Sequence, residues 1–263
     1  MDIGIRKGER DDGFPELREQ YLDSLCEPTE LYYDLMCRES ETFDVVMDGI
    51  RAGYVLLSDK GVLLGFFIEE GPSIDSGEIF AKILEDLGVE KALCQSLDHL
   101  FISLCLLNFD KKRIIGFSFR DIYEPSDPIP QFDLTERRAT LEDVGLLSNY
   151  SDGIFEESEI GDIPFWVKKG GCMIFEDGEG SFVGYGLINR TIDNRDWFDI
   201  GMYVRPEMRN KGYGTHIIDR MADVCFMNEW RPTAGCDKNN VASKKTLEKA
   251  GFVSKHVLVE FRN

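Results

Sequence analysis

Residues 204–215 read V-R-P-E-M-R-N-K-G-Y-G-T, after an apolar run and ahead of an amphipathic run at 217–227. This order predicts a strand, a turn, a glycine-rich loop and a helix. Pro206 ends the strand because proline has no N–H group to donate to a sheet. Gly212 and Gly214 permit a left-handed backbone or the close approach of a ligand.

The loop has the features of an anion site. The N–H groups of the loop and of the first helical turn lack partners, and the helix dipole is positive at this end, so a phosphate suits the position. Arg209 and Lys211 add positive charge there, and Arg205 can do the same. The segment alone also fits an ordinary surface turn ahead of a helix, so a second motif has to decide.

The second motif is N-V-A-S-K-K-T-L-E-K-A-G-F, residues 240–252. Asn240 suits the start of a helix, Leu247 lies on its apolar face, and Gly251 suits its end. Phe252 then opens a strand.

The two motifs together resemble the GNAT superfamily of acyl-CoA N-acyltransferases. Arg209 to Gly214 matches Arg/Gln-x-x-Gly-x-Gly/Ala, and residues 240–252 match N-x-x-S/A-x-x-x-Y/L-x-K-x-G-F. The resemblance covers about residues 131–263. It implies a mixed α/β (α+β) fold with a central, mostly antiparallel sheet flanked by helices.

The length of 263 residues accommodates two domains. We predict an N-terminal α/β domain, 1–128, and a GNAT acyltransferase domain, 129–263, joined at the proline-rich residues 125–130. In the first domain, hydrophobic periodicity predicts two helices in 14–39, a hairpin over 53–68, a helix around 79–87, a strand at 91–96, a buried helix at 99–109 and a strand at 113–119. In the second, it predicts an irregular stretch over 149–163 and separate strands at 252 and 257–261.

The first half also contains a weak internal repeat. Residues 91–109 follow the layout of residues 233–252, and the hairpin at 53–68 resembles the one at 171–189. A degenerate GNAT-like domain that does not bind CoA explains this, and so does an unrelated α/β domain. The two-part layout resembles a bacterial GNAT branch that includes zwittermicin A resistance acetyltransferases.

The composition excludes several functions. There are 49 acidic and 30 basic side chains, and most of the acidic excess lies in the first half. Because phosphates would be repelled by this negative charge, nonspecific binding to nucleic acid is disfavoured. The excess suits a solvated surface, or attraction of a cationic amine. Seven scattered cysteines and three histidines show no metal-ligand spacing, so we expect reduced thiols and no metal. With no signal peptide and no membrane-spanning run, we expect a cytoplasmic protein.

The resemblance implies acetyl-CoA as the cosubstrate. Backbone groups at Met202, Tyr203 and Val204 would polarise the thioester and hold the pantetheine. The pyrophosphate would lie on the phosphate loop, and the second motif would complete the site. The residues of these two segments are Arg209, Asn210, Lys211, Gly212, Tyr213, Gly214, Thr215, Asn240 and Ser243.

The catalytic residues are less clearly indicated. The acceptor amine must lose its proton before it attacks, and Asp199 and Glu176 are candidate bases, although each equally fits a solvated carboxylate. Many GNAT members have a tyrosine as general acid where this chain has Leu247. Ser243, Tyr203 or Tyr213 are candidate replacements, and the thiolate can also leave without enzymatic protonation.

The predicted function is therefore transfer of an acetyl group from acetyl-CoA to an amine of a small-molecule or peptide acceptor. Phe165 and Trp166 either line the acceptor site or belong to the core. The alternative is a catalytically weak acyl-CoA-binding sensor or scaffold, which the missing tyrosine favours. The sequence does not identify the acceptor.

Overall fold

A computed structural model describes residues 2–10, 13–69, 75–151 and 163–263, and the chain forms two compact units. The first unit comprises Met1–Phe117 with His256–Asn263, and the second comprises Ser118–Lys255. The division into domains 1–128 and 129–263 stays a prediction.

The first unit is a mixed sheet with helices on both faces. Its strands lie in the order β1-β2-β3-β4-β5, antiparallel except for the parallel pair β4–β5. β5 also pairs with Leu258–Arg262, the end of the last strand of the chain. The elements are β1 (Ile3–Lys7), α1 (Gly13–Ser24), α2 (Leu31–Glu39), β2 (Glu41–Met47), β3 (Ile50–Leu57), β4 (Val62–Ile68), α3 (Ser76–Asp86), β5 (Lys91–Gln95) and α4 (His99–Asn108).

Alternate residues of β3 and β4 supply two separate cores, because successive side chains of a strand point to opposite faces. Val55 and Leu63 pack with α3 and α4, whereas Tyr54 and Leu64 pack with α1 and α2. Both faces of this sheet are therefore covered by helices.

The second unit repeats this arrangement. β7 to β10 are antiparallel in sequence order, and β10 is parallel to β11. After β6 (Lys111–Ile122), the elements are β7 (Thr135–Arg138), a 3-10 helix (Leu141–Asp143), α5 (Val144–Asn149), α6 (Ile163–Lys168), β8 (Cys172–Glu176), β9 (Phe182–Arg190), β10 (Trp197–Val204), α7 (Tyr213–Met227), β11 (Arg231–Asp237), α8 (Val241–Lys249) and β12 (Phe252–Arg262).

Over the described residues, each half of the chain thus runs strand, two helices, three antiparallel strands, helix, parallel strand, helix and strand. The predicted mixed α/β fold and the GNAT-like character of the first half are confirmed. The predicted correspondence between the hairpins at 53–68 and 171–189 is wrong by one strand, however. Residues 53–68 form β3–β4, the second hairpin of the first unit, whereas residues 171–189 form β8–β9, the first hairpin of the second.

Three further predictions are corrected. β1 and β2 were not predicted, and β12 is one continuous strand where two were expected. The helix at 99–109 is not fully buried: α4 buries Phe101, Leu104 and Cys105, but Leu107 is 82% exposed. The stretch predicted to be irregular, 149–163, lies mainly outside the described residues.

Within the described ranges, no helix combines the length and hydrophobicity that crossing a bilayer requires. All seven cysteines fall in these ranges and carry free thiols.

Candidate functional site

The turn after β10 leads directly into α7. Pro206–Met208 forms a short 3-10 helix, and the backbone is left-handed at Asn210 (φ 61°) and at Gly212 (φ 96°). Gly212 caps the N-terminus of α7. Glycine adopts this conformation without steric cost, whereas other residues are strained there. The predicted strand, turn, glycine loop and helix are confirmed.

The start of α7 is suited to an anion. The first-turn N–H groups of a helix have no carbonyl partner within that helix, and the dipole of a helix of 15 residues adds partial positive charge at this end. Arg209 and Lys211 are exposed basic residues directly before it. Thr215, in the first turn of α7, is only 5% exposed.

The two loop glycines have different neighbours. A Cβ atom on Gly212 would lie 3.0 Å from Cγ of Pro130, and one on Gly214 would lie 3.2 Å from Cγ2 of Thr246. Gly214 therefore allows α7 to approach α8 closely. The sequence also predicts a ligand contact at Gly214, and that contact stays a prediction.

The side chain of Arg209 folds back over the end of β10. Its Nε donates a hydrogen bond of 2.9 Å to the carbonyl of Val204, and its guanidinium lies 5.2 Å from the ring centre of Tyr203. The cation is thus held between the strand end and the start of α7.

β10 and β11 pair over only part of their length. The parallel register runs from Trp197 opposite Arg231 to Asp199 opposite Thr233, whereas β10 continues to Val204. On its other side, β10 stays paired with β9 up to Val204. The edge of β10 that faces β11 is therefore open over its second half.

The backbone hydrogen bonds of β10 show which of its groups face this opening. Arg231 N–H donates to the carbonyl of Asp196, whereas Arg205 N–H donates to Val183 of β9. Because backbone groups alternate along a strand, even-numbered residues of β10 face β11 and odd-numbered residues face β9. The backbone of Met202 and Val204 consequently faces the opening, where the sequence analysis placed the thioester and pantetheine.

Tyr203 is part of an aromatic core. It is 4% exposed and stacks on Tyr185 with ring centres 5.2 Å apart, in a cluster that includes residues of α5 and α6. The ring is therefore fixed, and its hydroxyl group reaches the reacting atoms only if the acceptor site extends into this cluster.

The second motif forms the start of α8. The side chain of Asn240 accepts a 3.0 Å hydrogen bond from Ser243 N–H, which caps the helix as predicted. Ser243 is half-buried, so its hydroxyl keeps access to solvent. Leu247 is 2% exposed and occupies the core at the position where many GNAT members have a tyrosine.

The candidate bases lie in different surroundings. Asp199 is three residues before Met202, about 10 Å along the strand. Burial and the carboxylate of Asp199 raise the pKa of Cys225 to about 12. Glu176 forms a 3.0 Å ion pair with Arg137. A proton acceptor at Glu176 would have to give up this ion pair, whereas Asp199 sits on the strand that carries the proposed site.

Residues 130–132 contact the start of α7, which the sequence analysis missed because it treated the adjoining prolines only as a linker. Phe132 stacks on Tyr213 with ring centres 4.1 Å apart and meets the edge of His216 at 5.7 Å. Burial lowers the pKa of His216, opposed by a hydrogen bond to the backbone of Pro130. These contacts fix the first turn of α7 from one side.

On α6, Phe165 is 41% exposed and meets Trp166 edge-on at 5.4 Å. The exposure of Phe165 is compatible with contact to an acceptor. Among the described residues, no three His, Cys, Asp or Glu side chains cluster closely enough to hold a metal ion.

A strand opened at its carboxyl end, beside a glycine-capped helix start, is the arrangement that the GNAT resemblance requires for acyl-CoA. Comparison with family models identifies a GNAT domain in each half of the chain. Residues 11–122 match one model described as an acetyltransferase (GNAT) domain, and residues 149–253 match a second model with the same description. The chain belongs to the GNAT family of acyl-CoA-dependent acetyltransferases and contains two such domains.

Individual relatives are distant. Over 73 residues the chain is 32% identical to the uncharacterized N-acetyltransferase YjdG of Bacillus subtilis (strain 168), a match that covers 27% of this chain and 44% of that protein. The matched region thus spans less than half of that relative.

Two solved structures share the fold over nearly the whole chain. A GNAT-family acetyltransferase from Colwellia psychrerythraea superimposes with a TM-score of 0.86 at 18% identity, covering 98% of this chain and 99% of that one. A tandem GNAT protein from the clavulanic acid biosynthesis pathway superimposes with a TM-score of 0.64 at 12% identity, covering 100% and 98%. At these identities the similarity establishes the fold alone.

Proposed function

We propose that the chain transfers an acetyl group from acetyl-CoA to the amine of a small-molecule or peptide acceptor. The observation that carries the proposal is the open edge of β10 at Met202 and Val204, which leads straight into the glycine-capped start of α7. The free cysteines suit a reducing compartment, and we propose a cytoplasmic location.

The second unit supplies three kinds of contact. The N–H groups at the start of α7, with Arg209 and Lys211, hold the pyrophosphate. The backbone of Met202 and Val204 binds the pantetheine and polarises the acetyl carbonyl. Bound acetyl-CoA supplies an activated acetyl group, and the residues around it exclude water and orient the acceptor.

The amine must be neutral to attack, because an ammonium ion has no lone pair. Asp199 is our candidate for receiving its proton, either directly or through a water molecule. We propose Ser243 as the group nearest the departing sulfur, with Tyr203 as the other candidate. A thiol is acidic enough that its thiolate also leaves without a proton from the protein.

The experiment is thiol release from acetyl-CoA in the presence of a panel of amines, with products identified by mass spectrometry after use of labelled acetyl-CoA. Acetylated product and amine-dependent thiol release support the proposal. Binding of acetyl-CoA without thiol release in the presence of any amine of the panel would contradict the proposed acetyltransferase activity.

The second candidate function is a sensor or scaffold that binds acyl-CoA with little turnover. The observation that favours it is Leu247, which is buried and has no hydroxyl group to protonate a leaving thiolate. Leu247→Tyr separates the two functions: a large gain in thiol release favours the sensor, whereas unchanged turnover shows that the parent does not need this group.

A further inference from the structure

A cavity of about 530 Å³ lies in the second unit, away from the proposed acyl-CoA site. It is bounded by the end of β6, the start of β10, the end of α7 and the start of β11. Trp197, which lines it, is at the opposite end of β10 from Val204, about 23 Å along the strand. The cavity is therefore separate from the phosphate loop, and its volume lies in the range of small-molecule sites.

The walls are aromatic. Trp197, Trp230, Tyr123 and Phe226 all line the cavity. One face of Trp230 stacks on Phe198 with ring centres 3.9 Å apart, which fixes the indole in place. Tyr123 and Phe226 are 59% and 55% exposed at the rim. Exposed rings beside a cavity suit a flat apolar ligand, because its burial removes their surface from water.

Of the four charged side chains that line the cavity, the buried one is an arginine. Arg120 is 4% exposed, and its Nη1 donates to the carbonyls of Phe119 and Ala234, which orient the guanidinium. A second cation, Arg231, lies 5.1 Å from the ring centre of Trp197. Guanidinium groups in the lining favour a carboxylate ligand, because they bind carboxylates through paired hydrogen bonds.

The two acidic residues of the lining are either ion-paired or exposed. Asp121 forms an ion pair with Lys255 and accepts a hydrogen bond from the hydroxyl group of Tyr123. Glu229 is exposed, where solvent and salt screen its charge. Arg120 is therefore the charged side chain of the lining that is shielded from solvent, whereas Arg231 is exposed, as Glu229 is.

We propose that this cavity is a second ligand site, which takes a small aromatic carboxylate. The rings bind its flat face, and the two arginines bind its carboxylate. The site is distinct from the acetyl-CoA site, and the inference does not depend on the proposed acetyltransferase function.

The chain offers a direct optical test. It has three tryptophans, and two of them line the cavity. In a Trp166→Phe background, all tryptophan fluorescence comes from Trp197 and Trp230. Titration with benzoate is compared with benzamide, which is neutral, with benzylamine, which is a cation, and with cyclohexanecarboxylate, which is not aromatic.

We expect a saturable fluorescence change with benzoate, and binding at least tenfold weaker for each of the other three probes. Arg231→Gln should weaken the binding of benzoate at least fivefold. Arg138→Gln, which changes an exposed arginine outside the cavity, should leave benzoate binding unchanged. Because Arg231 is exposed, its replacement leaves the core intact. No saturation with benzoate, equal binding of benzamide or benzylamine, or equal affinity of both arginine variants would overturn the proposal.

Discussion

Arg209 is the side chain that most directly connects β10 with the proposed phosphate site. A charge-assisted contact to a phosphate contributes about 1.5–3 kcal/mol, while the backbone N–H groups remain in place when the side chain is removed. We predict that Arg209→Ala weakens acetyl-CoA about tenfold to a hundredfold without unfolding the protein. Calorimetric titration at low salt measures this, with Arg138→Ala as the control.

Salt provides a second check on Arg209. Screening weakens an exposed ion pair. The difference in acetyl-CoA affinity between Arg209→Ala and the parent should therefore narrow as the salt concentration is raised. Equal affinities of variant and parent at low salt would mean that Arg209 is an ordinary surface residue that only packs on Tyr203.

Asp143 should make the second unit sensitive to acid. Its hydrogen bonds to Arg137 lower its pKa from 3.8 to about 2. Because the folded-state pKa is the lower one, the stabilisation is present above pH 3.8 and is lost as the pH falls toward 2. We predict that Asp143→Asn lowers the free energy of unfolding at pH 6 and loses less stability than the parent between pH 4 and pH 2.5.

Denaturant titrations at these pH values test the prediction, and Glu142→Gln is the matched control because Glu142 is exposed. A loss of stability in acid that is the same for Asp143→Asn and the parent would show that other carboxylates carry it.

At the scale of elements, the two parallel strand pairs differ. β4 and β5 pair only at their first residues, as β10 and β11 do. In the first unit, however, the hydroxyl group of Tyr33 lies 3.0 Å from the carbonyl of Leu93 in β5 and also bonds to that of Leu64 in β4. Tyr33 is 2% exposed and fills the opening between the strands. We therefore expect no acyl-CoA in the first unit.

Tyr33→Phe tests whether this closure stabilises the unit. Removal of the hydroxyl group leaves buried carbonyls with one partner fewer, so we predict a loss of about 1–2 kcal/mol in the free energy of unfolding. Tyr32→Phe is the control: Tyr32 is 64% exposed, and its change should stay within about 0.5 kcal/mol. Equal stabilities of the two variants would refute a stabilising role for the buried hydroxyl group.

The elements that the sequence predicted are those with strong local signals. The turn at Pro206, the cap at Asn240 and the glycine before α7 each act within a few residues, so their positions follow from the sequence. β2 was missed because its buried positions include Thr42 and Asp44, which break the apolar pattern. Asp44 is tolerated there through a 2.7 Å ion pair with Arg51, a partner that only the folded sheet provides.

The same limit applies to the site. The phosphate loop and the second motif were recognisable, but the packing of Gly214 on Thr246 and of Phe132 on Tyr213 joins distant parts of the chain. Local periodicity contains no information about such contacts. The exposure of Leu107 was missed for the opposite reason, because an apolar run predicts burial on every face of a helix.

We predict that the chain binds one acyl-CoA molecule, although it contains two GNAT domains. The second unit has the open strand edge and the glycine-capped helix, and the first has Tyr33 between its strands. The stoichiometry of binding therefore reports on both units in a single experiment.

Calorimetric titration of the parent and of Gly212→Glu with acetyl-CoA tests whether the second unit holds a single acyl-CoA site at the start of α7. We predict one site with a micromolar dissociation constant, equivalent to about −8 kcal/mol, and no measurable binding to Gly212→Glu. A side chain at φ 96° is strained, and its carboxylate would repel phosphate at the start of α7. Gly178→Glu, in an open turn with no atom near its Cβ position, should bind like the parent. Undiminished binding to Gly212→Glu would show that acetyl-CoA does not bind at the start of α7, and two equivalent sites in the parent would show that the first unit also binds it.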